Sequence, residues 1–128
     1  MTKEKYKILY IDDEESNLRI FKNTFRREFE VFLASSAKMG IEILHKHSID
    51  VLITDQRMPQ MTGVELLRVI KEQFPNIPPN RLMVSGYAAP GDIDDAFNNY
   101  DLFRFIAKPW DAEELKHIIL TAINMRHD

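Results

Sequence analysis

The sequence has no cysteine. That excludes disulfides, thiol nucleophiles and cysteine-ligated zinc, and it agrees with a reducing compartment. Long hydrophobic runs are also missing. The opening "MTKEKYKILYIDDEE" holds only four consecutive apolar residues before its acids, too few for a signal peptide or a membrane-spanning segment. Positive charge is not in excess, since 17 Lys and Arg stand against 20 Asp and Glu for a net charge of −3. Such a chain lacks the basic field that holds nucleic acid. Neither G-x-G-x-x-G nor G-x-x-x-x-G-K-[ST] occurs, so no glycine-rich loop is available to cradle a nucleotide phosphate. These absences point to a cytoplasmic protein that engages neither membrane nor nucleic acid directly.

The 128 residues, 45% hydrophobic and 29% charged, suit one domain spanning 1–128 that buries a core without cross-links. Five short apolar runs read as strands: "ILYI" from Ile8, "VFLA" from Val31, "VLIT" from Val51, "LMVS" from Leu82 and "LFRFI" from Leu102. The first, third and fourth alternate little with polar residues, as strands covered on both faces do. Arg104, inside the last run, suits an edge strand. Between the runs lie helical stripes: Leu18, Phe21, Phe25, Phe29; Ala37, Gly40, Ile41, Leu44; Gly63, Leu66, Leu67, Ile70, Phe74; Ile93, Ala96, Phe97, Tyr100; and Leu115, Ile118, Ile119, Ala122. Each is an apolar face that needs a sheet to cover it. Asp111 and Glu114 predict a capping box at the last helix, and "PNIPPN" from Pro75 predicts a rigid turn. Regular alternation of strand and helix implies an α/β fold, a parallel sheet with right-handed crossovers and helices on both faces.

In such open sheets, ligands bind beyond the carboxyl ends of the strands. Just past those ends the sequence places Asp12, Asp13 and Glu14, then Asp55, then Ser85-Gly86, then Lys108-Pro109. An aspartate after a strand is commonly a cap or turn former, and a lone serine or lysine there is commonly a turn residue or a solvated charge. Together they mean more. Carboxylates about 4 Å apart repel by roughly 4 kcal/mol at an effective dielectric near 20. Lys108 offers one compensating charge, and a hard oxygen-seeking divalent ion such as Mg2+ would offer the rest.

At these residues the chain resembles the receiver domain of two-component response regulators, over essentially its whole length. The acidic pair Asp12-Asp13, the central Asp55 followed by "RMP" and Gly63, the hydroxyl Ser85 with Gly86, and Lys108-Pro109 carry the resemblance. It implies a five-stranded, doubly wound parallel sheet in the flavodoxin-like order 2-1-3-4-5. It implies a signalling switch rather than an enzyme, catalysing only its own aspartyl phosphorylation and dephosphorylation. Asp55 would be the phosphoacceptor, taking a phosphoryl group from the phosphohistidine of a sensor histidine kinase or phosphotransfer protein. Mg2+ or Mn2+ would be held by Asp13, Asp55 and the backbone carbonyl of Arg57, with Asp12 acting directly or through water. Lys108 and Ser85 would contact the phosphoryl oxygens, and Phe105 would be the switch aromatic. The output surface would be the fourth helix, fifth strand and fifth helix, including Arg104, Phe105 and Trp110. It would meet an output domain or target protein, with a phosphorylation-linked homodimer as a further mode. "SGYA" and "FRFIAKPWD" look like the subgroup often joined to cyclic-dinucleotide phosphodiesterase or other enzymatic outputs. The resemblance also suggests a cis Lys108-Pro109 bond, and it implies that bulky Arg57 and Tyr87 shield the acyl phosphate from water. Ser85 stands where threonine is commoner, which leaves the hydroxyl in place.

Other readings use the same elements. A flavin or nucleotide carrier would need a phosphate-cradling loop after the first strand, but "DDEESN" is acidic and lacks glycine. A phosphatase of the haloacid dehalogenase type would need a second acid two residues after its nucleophile, where Arg57 stands. A receiver-shaped interaction module that works without phosphate stays open beside the main reading. The four histidines, His45, His47, His117 and His127, lie away from the acidic rim and are assigned no chemistry.

Overall fold

The computed structural model describes residues 5–74 and 81–126; the turn expected from Pro75 to Asn80 and the position of His127 lie outside them. The strands are β1 (Lys7–Ile11), β2 (Glu30–Ala34), β3 (Val51–Thr54), β4 (Arg81–Ser85) and β5 (Leu102–Ala107). They alternate with helices α1 (Glu15–Phe25), α2 (Ala37–Lys46), α3 (Gly63–Gln73), α4 (Pro90–Asn99) and α5 (Ala112–Arg126). All pairings are parallel and the order is β2-β1-β3-β4-β5. The chain thus has the flavodoxin-like α/β arrangement. Among the described residues, no helix is long and apolar enough to cross a membrane.

Apolar runs become interior strands because both of their faces are covered. Every residue of β3 and β4 is buried. On one face, Ile8, Tyr10, Ile53 and Val84 pack with Leu18, Phe21 and Phe25 of α1 and Leu115, Ile119 and Ala122 of α5. On the other, Leu9, Ile11, Leu52 and Met83 pack with α2, α3 and Ala96 of α4. Fully burying one such side chain stabilises the fold by about 1.5–3 kcal/mol, so two filled faces hold the sheet rigid beneath the loops at its rim.

β5 lies at the edge, and Arg104 there is exposed with its guanidinium 5.6 Å from the Phe103 ring centroid. The pairing with β4 shifts register between Arg81 and Leu82. That extra residue reverses which side chains face each layer. Phe103 and Ile106 therefore turn toward the α1–α5 layer, while Leu102 and Phe105 turn toward the α2–α4 layer.

Two helical stripes differ from expectation. Phe29 is buried, but it lies beyond α1 in a tight turn where the Phe25 carbonyl accepts from both Glu28 and Phe29. The helical spacing runs on through residues that are no longer helix. In α4, Phe97 is 42% exposed and only Ala96 is buried. Three aspartates, Asp92, Asp94 and Asp95, thin that apolar face and leave the helix lightly packed. Asp111 caps α5 as expected, accepting from the Glu114 N–H at 2.9 Å. A full capping box forms instead at α3, between Thr62 and Glu65. Gly63 begins that helix with its Cα so close to β3 that a Cβ would lie 2.5 Å from the Asp55 carbonyl oxygen. Only glycine fits there, and the contact pins α3 against the end of β3.

Candidate functional site

The carboxyl ends of β1, β3, β4 and β5 open on one rim, and the expected residues meet there. Asp12 is fully buried, Asp55 is 6% exposed, and Asp13 is exposed beside them. One carboxylate oxygen from each of Asp12, Asp13 and Asp55 lies within 4.8 Å of the others. Lys108 follows β5, precedes a cis bond to Pro109, and reaches both buried acids, with Nζ 2.9 Å from Asp12 Oδ2 and 2.9 Å from Asp55 Oδ2. Burial pulls the lysine pKa down, but hydrogen bonds and charge from Asp12 and Asp55 outweigh it and leave the pKa raised. Lys108 is a cation throughout the neutral range.

Asp12 accepts from four donors. Its Oδ2 accepts from Tyr10 Oη at 2.8 Å, Asn17 Nδ2 at 3.2 Å and Lys108, and its Oδ1 accepts from the Glu14 N–H at 3.0 Å. Burial, and then the neighbouring Asp12 charge, push the Tyr10 phenol pKa up, so Tyr10 is a neutral donor. Asp55 takes fewer contacts: Lys108 on one oxygen and the Arg57 N–H at 3.3 Å on the other. Ser85 ends β4 buried at the same rim, but its hydroxyl donates to the Tyr87 carbonyl at 2.8 Å within its own loop. The Lys108 N–H donates to the Ser85 carbonyl at 3.0 Å. An added Cβ at Gly86 would meet nothing within 4 Å, so the approach there is open for a reason other than the missing side chain. Arg57 and Tyr87, two residues after Asp55 and Ser85, meet with guanidinium carbon and ring centroid 5.8 Å apart. Phe105 is half-buried against the α2–α4 layer.

Sequence reasoning did not identify Tyr10, Asn17 and Gln56. Tyr10 had a signal: residues i and i+2 of a strand share a face, which aims it at Asp12. Asn17 and Gln56 had none: Asn17 reaches back to Asp12 only from its place on α1, and Gln56 bonds Val64 on α3 and Asp92 on α4, contacts that only the folded chain defines. Among the described residues, His45 and His47 lie at the end of α2 with their rings tilted against Phe74 and Phe32, and His117 lies within α5.

The residues present fit a hard divalent cation. Three carboxylates, two of them buried, gather beside one ammonium, Lys108, which pairs with Asp12 and Asp55, so the pocket is left negative and offers carboxylate oxygens as ligands. Nothing in it resembles a soft or thiolate site.

Comparison with known proteins agrees with this geometry. The family model described as the response regulator receiver domain matches residues 8–120. The chain is 32% identical over 123 residues to the hydrogenase transcriptional regulatory protein HoxA of Cupriavidus necator, covering 96% of this chain but only 25% of that regulator. It is 33% identical to the chemotaxis protein CheY of Pseudomonas aeruginosa, covering 88% of this chain and 92% of CheY. The solved signal receiver domain of an HD domain-containing protein from Pseudomonas fluorescens superposes with a TM-score of 0.89 at 26% identity, covering 97% of this chain and 98% of that one. Receiver domains as a family switch by phosphorylation, bind Mg2+ in an acidic pocket and pair with histidine kinases and output domains. A match over most of the chain, a shared fold and an acid–lysine rim in the expected places make this chain a member of the response regulator receiver domain family.

Proposed function

We propose that residues 1–128 form a single receiver unit in which Asp55 is the phosphoacceptor of a two-component phosphorelay. The observation that carries this reading is Lys108 bridging two buried carboxylates, Asp12 and Asp55, beside the exposed Asp13. Of the buried pair, Asp55 has the fewer donors, so it is the freer nucleophile. An Asp55 oxygen attacks the phosphorus of a phosphohistidine. The new P–O bond forms as the P–N bond breaks, and its electron pair leaves with the imidazole. Charge in the transition state spreads over the equatorial oxygens, so positioned cations supply most of the catalysis. Lys108, already 2.9 Å from Asp55, supplies one. Asp13, Asp55 and the Arg57 carbonyl would hold Mg2+ or Mn2+, which would supply positive charge to the phosphoryl oxygens. Asp12, whose oxygens already accept from four donors, would act on it directly or through water.

The phosphoryl group brings about −1.5 to −2 of charge. Lys108 and the Ser85 hydroxyl then turn to its oxygens, and Ser85 gives up the Tyr87 carbonyl. Phe105, half-buried next to α4, follows into the space released, and the α4-β5-α5 face changes shape for its output domain or target protein. A homodimer through α4 and α5 is one use of that face. The chain catalyses only its own phosphorylation and dephosphorylation, and its donors are a sensor histidine kinase or phosphotransfer protein. Incubation with acetyl phosphate and Mg2+ followed by a Phos-tag gel tests the reading: wild type shifts, and Asp55→Ala does not. An unshifted wild type favours the phosphate-independent interaction module.

A further inference from the structure

Gln56 follows the proposed phosphoacceptor and is 5% exposed. The two ends of its amide face different helices. Oε1 accepts from the Val64 N–H at 2.9 Å, in the first turn of α3. A backbone N–H only donates, so this bond fixes which end of the amide is oxygen. The NH2 end faces α4 and donates to Asp92 Oδ2 at 3.3 Å. The Gln56 carbonyl also accepts from the Gly63 N–H at 3.0 Å. Gln56 is therefore held twice at α3 and reaches α4 through one longer bond.

α4 has few other ties at that end. It buries only Ala96, and its N-cap, Ala89, makes no side-chain capping bond. Its far end is fixed instead by Lys71 Nζ on the Asn99 carbonyl at 2.7 Å and by Arg81 Nη1 on the Tyr100 carbonyl at 3.1 Å. The segment entering α4 is the loop whose Tyr87 carbonyl accepts from Ser85. When Ser85 turns to a phosphoryl group, that loop is released. Motion passed into the first turn of α4 then acts on the Gln56–Asp92 contact.

We propose that Gln56 is a latch whose amide holds the first turn of α4 in the arrangement belonging to the unphosphorylated site, so that it opposes the switch until the latch parts. This rests on Asp55 being the phosphoacceptor and names what restrains that site. Gln56 is a positioning residue: it acts through α3 and Asp92 and does not touch the reacting oxygen.

The test uses beryllofluoride with Mg2+, a tetrahedral stand-in for the phosphoryl group, titrated against the fluorescence of the single tryptophan, Trp110. Asp92→Ala removes the acceptor. Gln56→Glu keeps an oxygen for the Val64 N–H and sets a like charge against Asp92. Asp92→Asn keeps an acceptor and is the conservative control. Freeing a restrained equilibrium tightens the ligand that favours the other state. Asp92→Ala and Gln56→Glu therefore bind beryllofluoride roughly three- to tenfold more tightly than wild type, and Asp92→Asn stays within about twofold of it. A packing role alone would lower the unfolding midpoint without tightening the anion. Should Gln56→Glu fail to fold, Asp92→Ala decides alone. Equal or weaker binding by the folded variants, with wild type binding, overturns the latch and leaves the phosphoacceptor reading standing. If wild type binds no beryllofluoride, that reading fails and the latch falls with it.

Discussion

Asp55→Asn isolates the charge balance of the acidic rim, because it keeps the side-chain volume and an oxygen for the Arg57 N–H. Asp12 and Asp55 have oxygens within 4.8 Å, so they repel by at least about 3.5 kcal/mol at an effective dielectric near 20. Lys108, at 2.9 Å, attracts Asp55 by about 6 kcal/mol on the same scale. Removing the Asp55 charge thus forfeits about 2 kcal/mol of net attraction, and repulsion from exposed Asp13 reduces the loss further. Against this stands the desolvation of a carboxylate that is only 6% exposed, several kcal/mol per ion. The balance makes the metal-free variant at least as stable as wild type, by about 1–2 kcal/mol. With Mg2+ at ten times its dissociation constant, wild type gains about 1.4 kcal/mol. The variant lacks one of the carboxylates proposed to hold the ion and gains far less, so the stability gap closes or reverses. Urea unfolding followed by Trp110 fluorescence, in chelator and in Mg2+, measures both. A variant in chelator less stable than wild type by about 2 kcal/mol or more would refute the reasoning, since the Lys108 pair would then outweigh the crowding.

Three further outcomes follow from the same geometry. Arg57 and Tyr87, which follow Asp55 and Ser85 by two residues, meet each other, so Arg57→Ala with Tyr87→Ala shortens the lifetime of the acyl phosphate if the pair shields it, and an unchanged decay curve defeats the shielding idea. Gly63→Ala places a methyl group 2.5 Å from the Asp55 carbonyl oxygen and 3.1 Å from Gln56 Cα. It should cost about 2–4 kcal/mol in unfolding stability, and a change under about 0.5 kcal/mol would show that α3 moves freely away from β3. The Lys108 pKa is raised above the ordinary lysine value of 10.5. Its contribution is therefore complete below that pH and is lost as pH rises through the raised value. The stability difference between wild type and Lys108→Met should be flat from neutral pH to about 10 and shrink above it; a difference that fades near pH 8 contradicts the assignment.

The strands were legible because β1, β3 and β4 are covered on both faces, which leaves nearly unbroken apolar runs. The meeting of Asp12, Asp13, Asp55 and Lys108 was legible because strand ends in a parallel sheet all open on one rim, and the family resemblance supplied the roles proposed for them. What stayed hidden depends on contacts across the fold. The register shift beside Arg81 redirects Phe103 and Phe105 without any mark in "LFRFI". Arg81 reads as the polar boundary of a strand, yet it is buried and tied to the Tyr100 carbonyl and Asp101 at the end of α4. The α4 stripe has helical spacing, but spacing does not say how much sheet remains to cover it, and Phe97 is left in solvent. Gln56 reads as a loop residue, and its role emerges only when α3 and α4 are both in place.

The central claim is that crowded carboxylates, held by Lys108 and a divalent ion, make Asp55 a phosphoryl acceptor. Phosphopeptide mapping by mass spectrometry after incubation with acetyl phosphate tests it most directly. One phosphoryl group is expected on Asp55 in the presence of Mg2+, and none in chelator or in Lys108→Met over the same interval. A phosphoryl group on another residue, or one on Asp55 that forms as fast without the metal, would contradict it.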